Sequence, residues 1–212
     1  LALDWVGLAP DPAANAQAVE AAIRSAAHVA RLTLDNQRIV VNTMETRGAT
    51  ASYDKVSDSY VLRVCSQGAV PMQQQMSTIM GIDRAKLRVI SEEVGGAFGL
   101  KTSAYTEYPV LLVASKKIGR PVHWMSSRSE AFVSDNQARD TVTEAELAFD
   151  ASGKFLALRI KNISNLGAFL ATTGAHLVTN NFARCLPSVY DIPLIDLNVR
   201  CVFTNTVQIG PY

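Results

Sequence analysis

The segment Gly95-Gly96-Ala97-Phe98-Gly99 sets three glycines and one small residue around a single phenylalanine. Backbone without side chains can approach a ligand closely. The N–H groups of such a turn, placed before a helix, form a concavity suited to a phosphate or an oxo group. The spacing is not the GxGxxG of dinucleotide sites, and Lys101 follows the last glycine too soon for a GxxxxGKS/T phosphate loop. By pattern alone two readings stand: a turn that grips a phosphate-bearing small molecule, and a tight strand-to-helix turn in which Phe98 plugs a core. Cys65, Cys185 and Cys201 are widely spaced without a CxxC pair, and His28, His123 and His176 lack metal-ligand spacing. No disulfide framework, zinc site or iron–sulfur site is therefore expected. Each cysteine lies in an apolar run and reads as a small buried hydrophobe.

The elements that must position the loop follow from periodicity. Asp11 caps a helix that opens with Pro12 and runs to about Ala26. Val29 to Val41 reads as a bent strand or strand pair, with Leu32, Leu34, Ile39 and Val41 as its core contributors. Ala49–Tyr53 and Tyr60–Cys65 form a hairpin around a polar turn. Val70, Met72, Met76, Ile79 and Met80 share one face of a helix that stops at Gly81. Leu87–Ile90 is a short strand leading into the glycine loop, followed by a helix from about Thr106 to Ile118. Val122–Met125 is a strand, and Ser127 with Glu130 opens a short helix. Thr141–Phe149 and Phe155–Ile163 flank Asp150-Ala151-Ser152-Gly153 as a second hairpin. The Gly-, Ala- and Thr-rich stretch from Gly167 to Pro187 suits a helix with irregular ends, and Ile195 to Phe203 alternates as a half-exposed strand. Hairpins and helices without sustained strand-helix alternation predict an α+β fold, with mixed sheet hairpins and packed helices.

The chain of 212 residues can bury a substantial core. Its 20 basic and 19 acidic side chains leave a formal charge of +1, too little excess to hold a nucleic acid or an anionic membrane surface. The longest apolar runs fall well short of the roughly 20 residues of a spanning helix. The expectation is a soluble protein of the cytoplasm, with no membrane span and no nucleic-acid partner.

Beyond pattern, Val94 to Lys101 (VGGAFGLK) resembles the VGGGFGGK signature of molybdenum hydroxylase large subunits. Other stretches match in order: Met44 to Ala49 resembles MEPRGA, and Ser66-Gln67 a Ser-Gln pair at a strand end. Gly119 to Val122 with Trp124 resembles GRPVKW, then come Arg128-Ser129-Glu130, Arg139-Asp140, Asn165 to Phe169, and Thr204-Asn205-Thr206 before Gly210-Pro211-Tyr212. The chain is thereby similar to molybdenum-binding subunits of the xanthine dehydrogenase, aldehyde oxidase and carbon monoxide dehydrogenase family, from about His28 onward.

The resemblance implies a molybdenum cofactor, molybdopterin in a dinucleotide form, with 2Fe-2S and FAD on partner subunits and a small-molecule substrate. It implies that Gln67 hydrogen-bonds an oxo ligand of molybdenum and that Gly96, Ala97, Phe98 and Gly99 pack against the metal and pterin. Gln67 and Phe98 then stand around molybdenum without ligating it. It divides the chain into an N-terminal helical segment, 1–27, and part of a molybdopterin-binding domain, 28–212. No catalytic residue is expected within the chain, because the family's substrate-loop arginine, its general-base glutamate and the copper-binding loop of carbon monoxide dehydrogenases fall beyond Tyr212. The start at Leu1 without methionine and the stop after a strand suit an internal piece of a larger subunit, inactive alone. Thr102 stands where purine-oxidising members carry glutamate, which disfavours xanthine. Glu45 and Arg47 are expected to form a structural ion pair, and Glu107 to be a charge in a helix's first turn.

Overall fold

The computed structural model describes residues 3–6 and 9–212. In chain order the first elements are β1 (Leu3–Val6), α1 (Pro12–Ser25), β2 (His28–Asn36), β3 (Ile39–Val40), β4 (Gly48–Asp54) and β5 (Ser59–Val64). There follow α2 (Ala69–Met80), β6 (Leu87–Ile90), α3 (Glu107–Ile118), β7 (Val122–Met125), α4 (Arg128–Ser134) and β8 (Gln137–Ala138). The last are β9 (Thr141–Phe149), β10 (Phe155–Gly167), α5 (Gly174–His176), α6 (Phe182–Cys185) and β11 (Ile195–Phe203). The expected α+β class holds, and the chain gathers into two compact units, 1–39 with 138–209 and 40–137 with 210–212.

The first unit carries a five-stranded sheet in the order β1-β11-β10-β9-β2. The β9–β10 hairpin turns on Asp150, whose carboxylate accepts from the Ser152 and Lys154 amides, and β11 joins β10 in parallel. Helix α1 begins as its sequence requires, with Asp11 accepting from the Ala14 amide and Pro12 in the first turn. It buries Val19 and Ile23 against Ala148 and Ala157, and Glu20 reaches Arg159 on β10 at 2.5 Å. On Ile160, Leu197, Val199 and Cys201 packs the segment from α5 to α6. That segment is helical without a break from Gly174 to Cys185, with a π-helical stretch, Leu177–Asn181, between its two short α-helical pieces, in keeping with the expected irregular helix.

Two core expectations for β2 are corrected. Leu32 is 58% exposed and Leu34 48%. Among the described residues the strand lies at the sheet edge and pairs only with β9, so hydrophobic alternation there does not coincide with a covered face. Cys185 is likewise exposed, whereas Cys201 is buried.

The second unit holds a four-stranded sheet in the order β6-β5-β4-β7, with α2 and α3 against it. Met72 and Met76 are fully buried with Leu62, Leu87, Tyr108 and Leu112; each side chain of this size contributes about 1.5–3 kcal/mol by leaving water. Val70 and Ile79 are exposed, so the buried stripe of α2 is narrower than expected. The β4–β5 hairpin pairs Tyr53 with Tyr60, and β6 adds to β5 in parallel. Parallel addition sends the ends of β5 and β6 in one direction, and both ends lead toward the glycine loop. Helix α4 opens with the capping box of Ser127 and Glu130.

Candidate functional site

Beyond β5 the chain passes through Ser66, whose amide and carbonyl both engage the Ser91 hydroxyl beyond β6. The next residue, Gln67, donates its backbone N–H to the Lys101 carbonyl at 3.1 Å. The strand-end glutamine and the residue closing the glycine loop are thus joined through the main chain. The Gln67 side chain is exposed and makes no hydrogen bond among the described residues, so it is not a strand-end cap.

The loop itself bends through positive φ at Gly96 (+93°), Phe98 (+49°) and Gly99 (+89°). Its internal bonds are Gly96 N to Val94 O, Leu100 N to Ala97 O and Thr102 N to Gly99 O. The amides of Ala97, Phe98 and Gly99 donate to no acceptor among the described residues. A Cβ on Gly95 would stand 2.6 Å from the Glu45 Cβ, and one on Gly99 2.6 Å from the Pro211 Cβ. Both glycines are therefore places of close approach by other chain segments. Phe98 is 61% exposed and meets Tyr212 edge to face, so it does not plug a core.

Two buried cations hold the loop's surroundings. Lys101 is fully buried and its Nζ lies 2.7 Å from Glu45 Oε2. The same oxygen accepts from the Gly95 amide at 2.9 Å, and Glu45 N donates to Gly95 O at 3.0 Å. Burial pushes the Glu45 carboxyl up, but the Lys101 and Gly95 hydrogen bonds outweigh it and bring it below its ordinary value. Arg47, also fully buried, forks onto both Glu107 oxygens at 3.0 and 3.1 Å and donates from Nε to Asp135 at 2.5 Å. Its guanidinium lies 3.7 Å from the centre of the Tyr105 ring. Glu107 is held below its usual value, with burial opposing and the Arg47 bonds prevailing. For Asp135 burial wins and its carboxyl is raised. The expected Glu45–Arg47 pair is corrected: each has its own partner, because Glu45 lies in a bend ahead of β4 and the two do not share a strand face. Arg128 fastens the same stretch by donating to Asn42 Oδ1, Thr43 O and Met44 O.

Sequence reasoning named Gln67 and the loop residues; it did not foresee Lys101 and Arg128 as fasteners. The signal was present in the lysine ending VGGAFGLK and the arginine of Arg128-Ser129-Glu130. An open cleft of about 220 Å³ lies beside Glu45, walled in part by Arg63, Cys65, Glu92, Glu93 and His123; neither Gln67 nor the loop lines it. Among the described residues no three of His, Cys, Asp or Glu gather to hold a metal ion, and no helix is long and apolar enough to cross a membrane. The donors present are N–H groups, which suit electron-rich oxygen or sulfur atoms of a group that brings its own metal.

The model of the molybdopterin cofactor-binding domain family matches residues 9–212. The chain is 33% identical over 167 residues to the carbon monoxide dehydrogenase large chain of Hydrogenophaga pseudoflava, covering 79% of this chain and 21% of that one. It is 27% identical over 202 residues to the nicotine 6-hydroxylase large subunit of Paenarthrobacter nicotinovorans, covering 92% and 24%. The crystal structure of quinoline 2-oxidoreductase from Pseudomonas putida 86 superposes with a TM-score of 0.85 at 30% identity, over 92% of this chain and 25% of that one. The chain therefore spans between 21% and 24% of the length of these two curated relatives. Together with the ordered stretches around the glycine loop, these likenesses identify it: the chain belongs to the molybdopterin cofactor-binding domain family, among the molybdenum-binding large subunits of the xanthine dehydrogenase, aldehyde oxidase and carbon monoxide dehydrogenase type.

Proposed function

We propose that this chain supplies part of the molybdopterin and molybdenum site of a hydroxylase large subunit, with Gln67, Gly96, Ala97, Phe98 and Gly99 facing the cofactor. The observation that carries this reading is the run of three open amides, Ala97 to Gly99, on a loop fixed from below by buried contacts. The residues fit the group: the loop offers donors without carboxylates, and Gln67 adds a neutral amide with its hydrogen-bonding capacity unspent. The bound cofactor supplies oxidative hydroxylation with water as the oxygen source. The protein's share is to orient. Gln67 Nε2 donates without adding charge, the loop amides donate without side-chain obstruction, and the Phe98 ring presents an apolar surface that displaces water beside them.

Relatives named for nicotine and quinoline direct substrate screening to N-heterocycles first, with aldehydes next. Thr102, in place of a carboxylate, gives a purine no anionic anchor. We place the rest of the large subunit and iron–sulfur (2Fe-2S) and FAD subunits as partners, a dinucleotide form of the pterin as cofactor, and the protein in the cytoplasm. Three cysteines that form no disulfide among the described residues suit a reducing compartment. Alone, the chain is expected to be inactive, since a cofactor shared with neighbouring domains loses most of its contacts without them.

The test is to co-express the large subunit carrying this chain with its partners and a maturation system, then measure molybdenum and pterin. Both should be present, and Gln67→Ala or Phe98→Ala should lower occupancy or activity. Absence of both from the wild type sinks the cofactor reading. The open amides would then favour a module that binds a phosphate-bearing small molecule, and inorganic phosphate becomes the first probe.

A further inference from the structure

One carboxylate oxygen reaches both ends of the glycine arc. Glu45 Oε2 lies 2.9 Å from the Gly95 amide, where the arc begins, and 2.7 Å from Lys101 Nζ, where it ends. Between these ends lie the three open amides and the exposed Phe98. Glu45 N closes a second contact on Gly95 O at 3.0 Å, and Lys101 O passes the constraint on to Gln67 N at 3.1 Å. Lys101 is fully buried although its side chain carries a charge. A buried ammonium costs folding energy that an apolar side chain would not, so its presence is poorly explained by stability. An ion pair does what an apolar contact does not: it fixes the separation and direction of two backbone segments, because both partners need their hydrogen bonds in one geometry.

We propose that Glu45 and Lys101 are positioning residues that hold the 95–101 arc in the shape its open amides need to bind the molybdenum cofactor. This rests on the cofactor reading above. Neither residue touches the cofactor. Glu45 acts through Gly95 and Lys101 acts through Glu45 and Gln67, so the pair sets the distance between the loop amides and the glutamine amide.

The experiment uses the intact holoenzyme in wild-type, Glu45→Gln, Lys101→Met and Glu45→Gln/Lys101→Met forms. Three readouts are taken: pterin per folded protein, hydrogen exchange at the Leu100 and Thr102 amides, and thermal unfolding. Wild-type pterin content tests the cofactor reading by itself; a wild type without pterin ends that reading before any variant is compared. Given a loaded wild type, Glu45→Gln should speed exchange at Leu100 and Thr102 by about tenfold or more and lower pterin content. The double variant removes the unpaired buried charge and should recover unfolding temperature without recovering pterin. Recovery of pterin together with stability in the double variant would make the pair merely structural and overturn the proposal. Unchanged exchange in Glu45→Gln would overturn it as well. If single variants fail to fold, the double variant alone decides, through pterin content against unfolding temperature.

Discussion

The backbone of Gln67 donates to the carbonyl of Lys101 at 3.1 Å, so the segment after β5 and the end of the glycine loop are joined directly through the main chain. A substitution that shifts Lys101 therefore displaces a glutamine far from it in sequence. The two halves of the candidate site are one mechanical object, and the predictions below follow from what holds it.

Arg47 is the most heavily engaged of the buried cations. Arg47→Met should destabilise the protein by about 3–5 kcal/mol, because Asp135 and Glu107 are left as uncompensated charges. Arg47→Lys should lose less, keeping the charge but not the fork onto Glu107. Denaturant unfolding of both variants checks the order; equal losses would refute the role of the fork.

Phe98 belongs to the proposed cofactor site and not to a core. With 61% of its surface exposed, Phe98→Ala should change stability by less than about 1 kcal/mol while lowering pterin content of the intact enzyme. A thermal melt beside a pterin assay separates the two effects. A large drop in melting temperature would mean that the ring packs more than its exposure indicates.

Gly99 and Gly119 both have left-handed φ, +89° and +65°. A Cβ on Gly99 meets Pro211, whereas one on Gly119 meets nothing within 4 Å. Gly119→Ala should cost about 1 kcal/mol from backbone conformation alone, and Gly99→Ala about 2–3 kcal/mol with the clash added. Comparable losses in the two unfolding curves would show that the loop yields easily.

The carboxylates around Arg47 should respond to pH with opposite signs. Glu107 is depressed below its ordinary 4.5, so its contribution is present above that value and lost as pH falls through the lowered one. The stability advantage of wild type over Glu107→Gln should shrink as pH falls below about 4. Asp135 is raised by burial, so it favours the folded state more at low pH. The advantage of wild type over Asp135→Asn should decline as pH rises through the carboxylate range. Unfolding free energies at a series of pH values test both slopes.

Much of this was legible in the sequence because it is local. Asp11 with Pro12, Ser127 with Glu130, and the Asp150 turn each specify their element within a few residues, and each forms as read. The glycine loop was legible as a place of close approach, because a Cβ at Gly95 or Gly99 would collide with Glu45 or Pro211. What stayed hidden depends on packing at a distance. Leu32 and Leu34 alternate like core residues, yet their place at a sheet edge is set by which strand β9 pairs with. Glu45 and Arg47 looked like partners because they are near in sequence. Their actual partners, Lys101 on one side and Glu107 with Asp135 on the other, are brought in by the glycine arc, the start of α3 and the end of α4.

Phe98 holds a backbone conformation, φ +49°, that costs an L-residue about 1–2 kcal/mol and glycine almost nothing. Three glycines lie within three residues of it, yet this position carries the bulkiest side chain of the loop, turned outward. Folding alone would favour a fourth glycine here, and Phe98→Gly should make the free protein more stable. In the proposed cofactor site, the strain held at Phe98 is offset where its ring meets the cofactor.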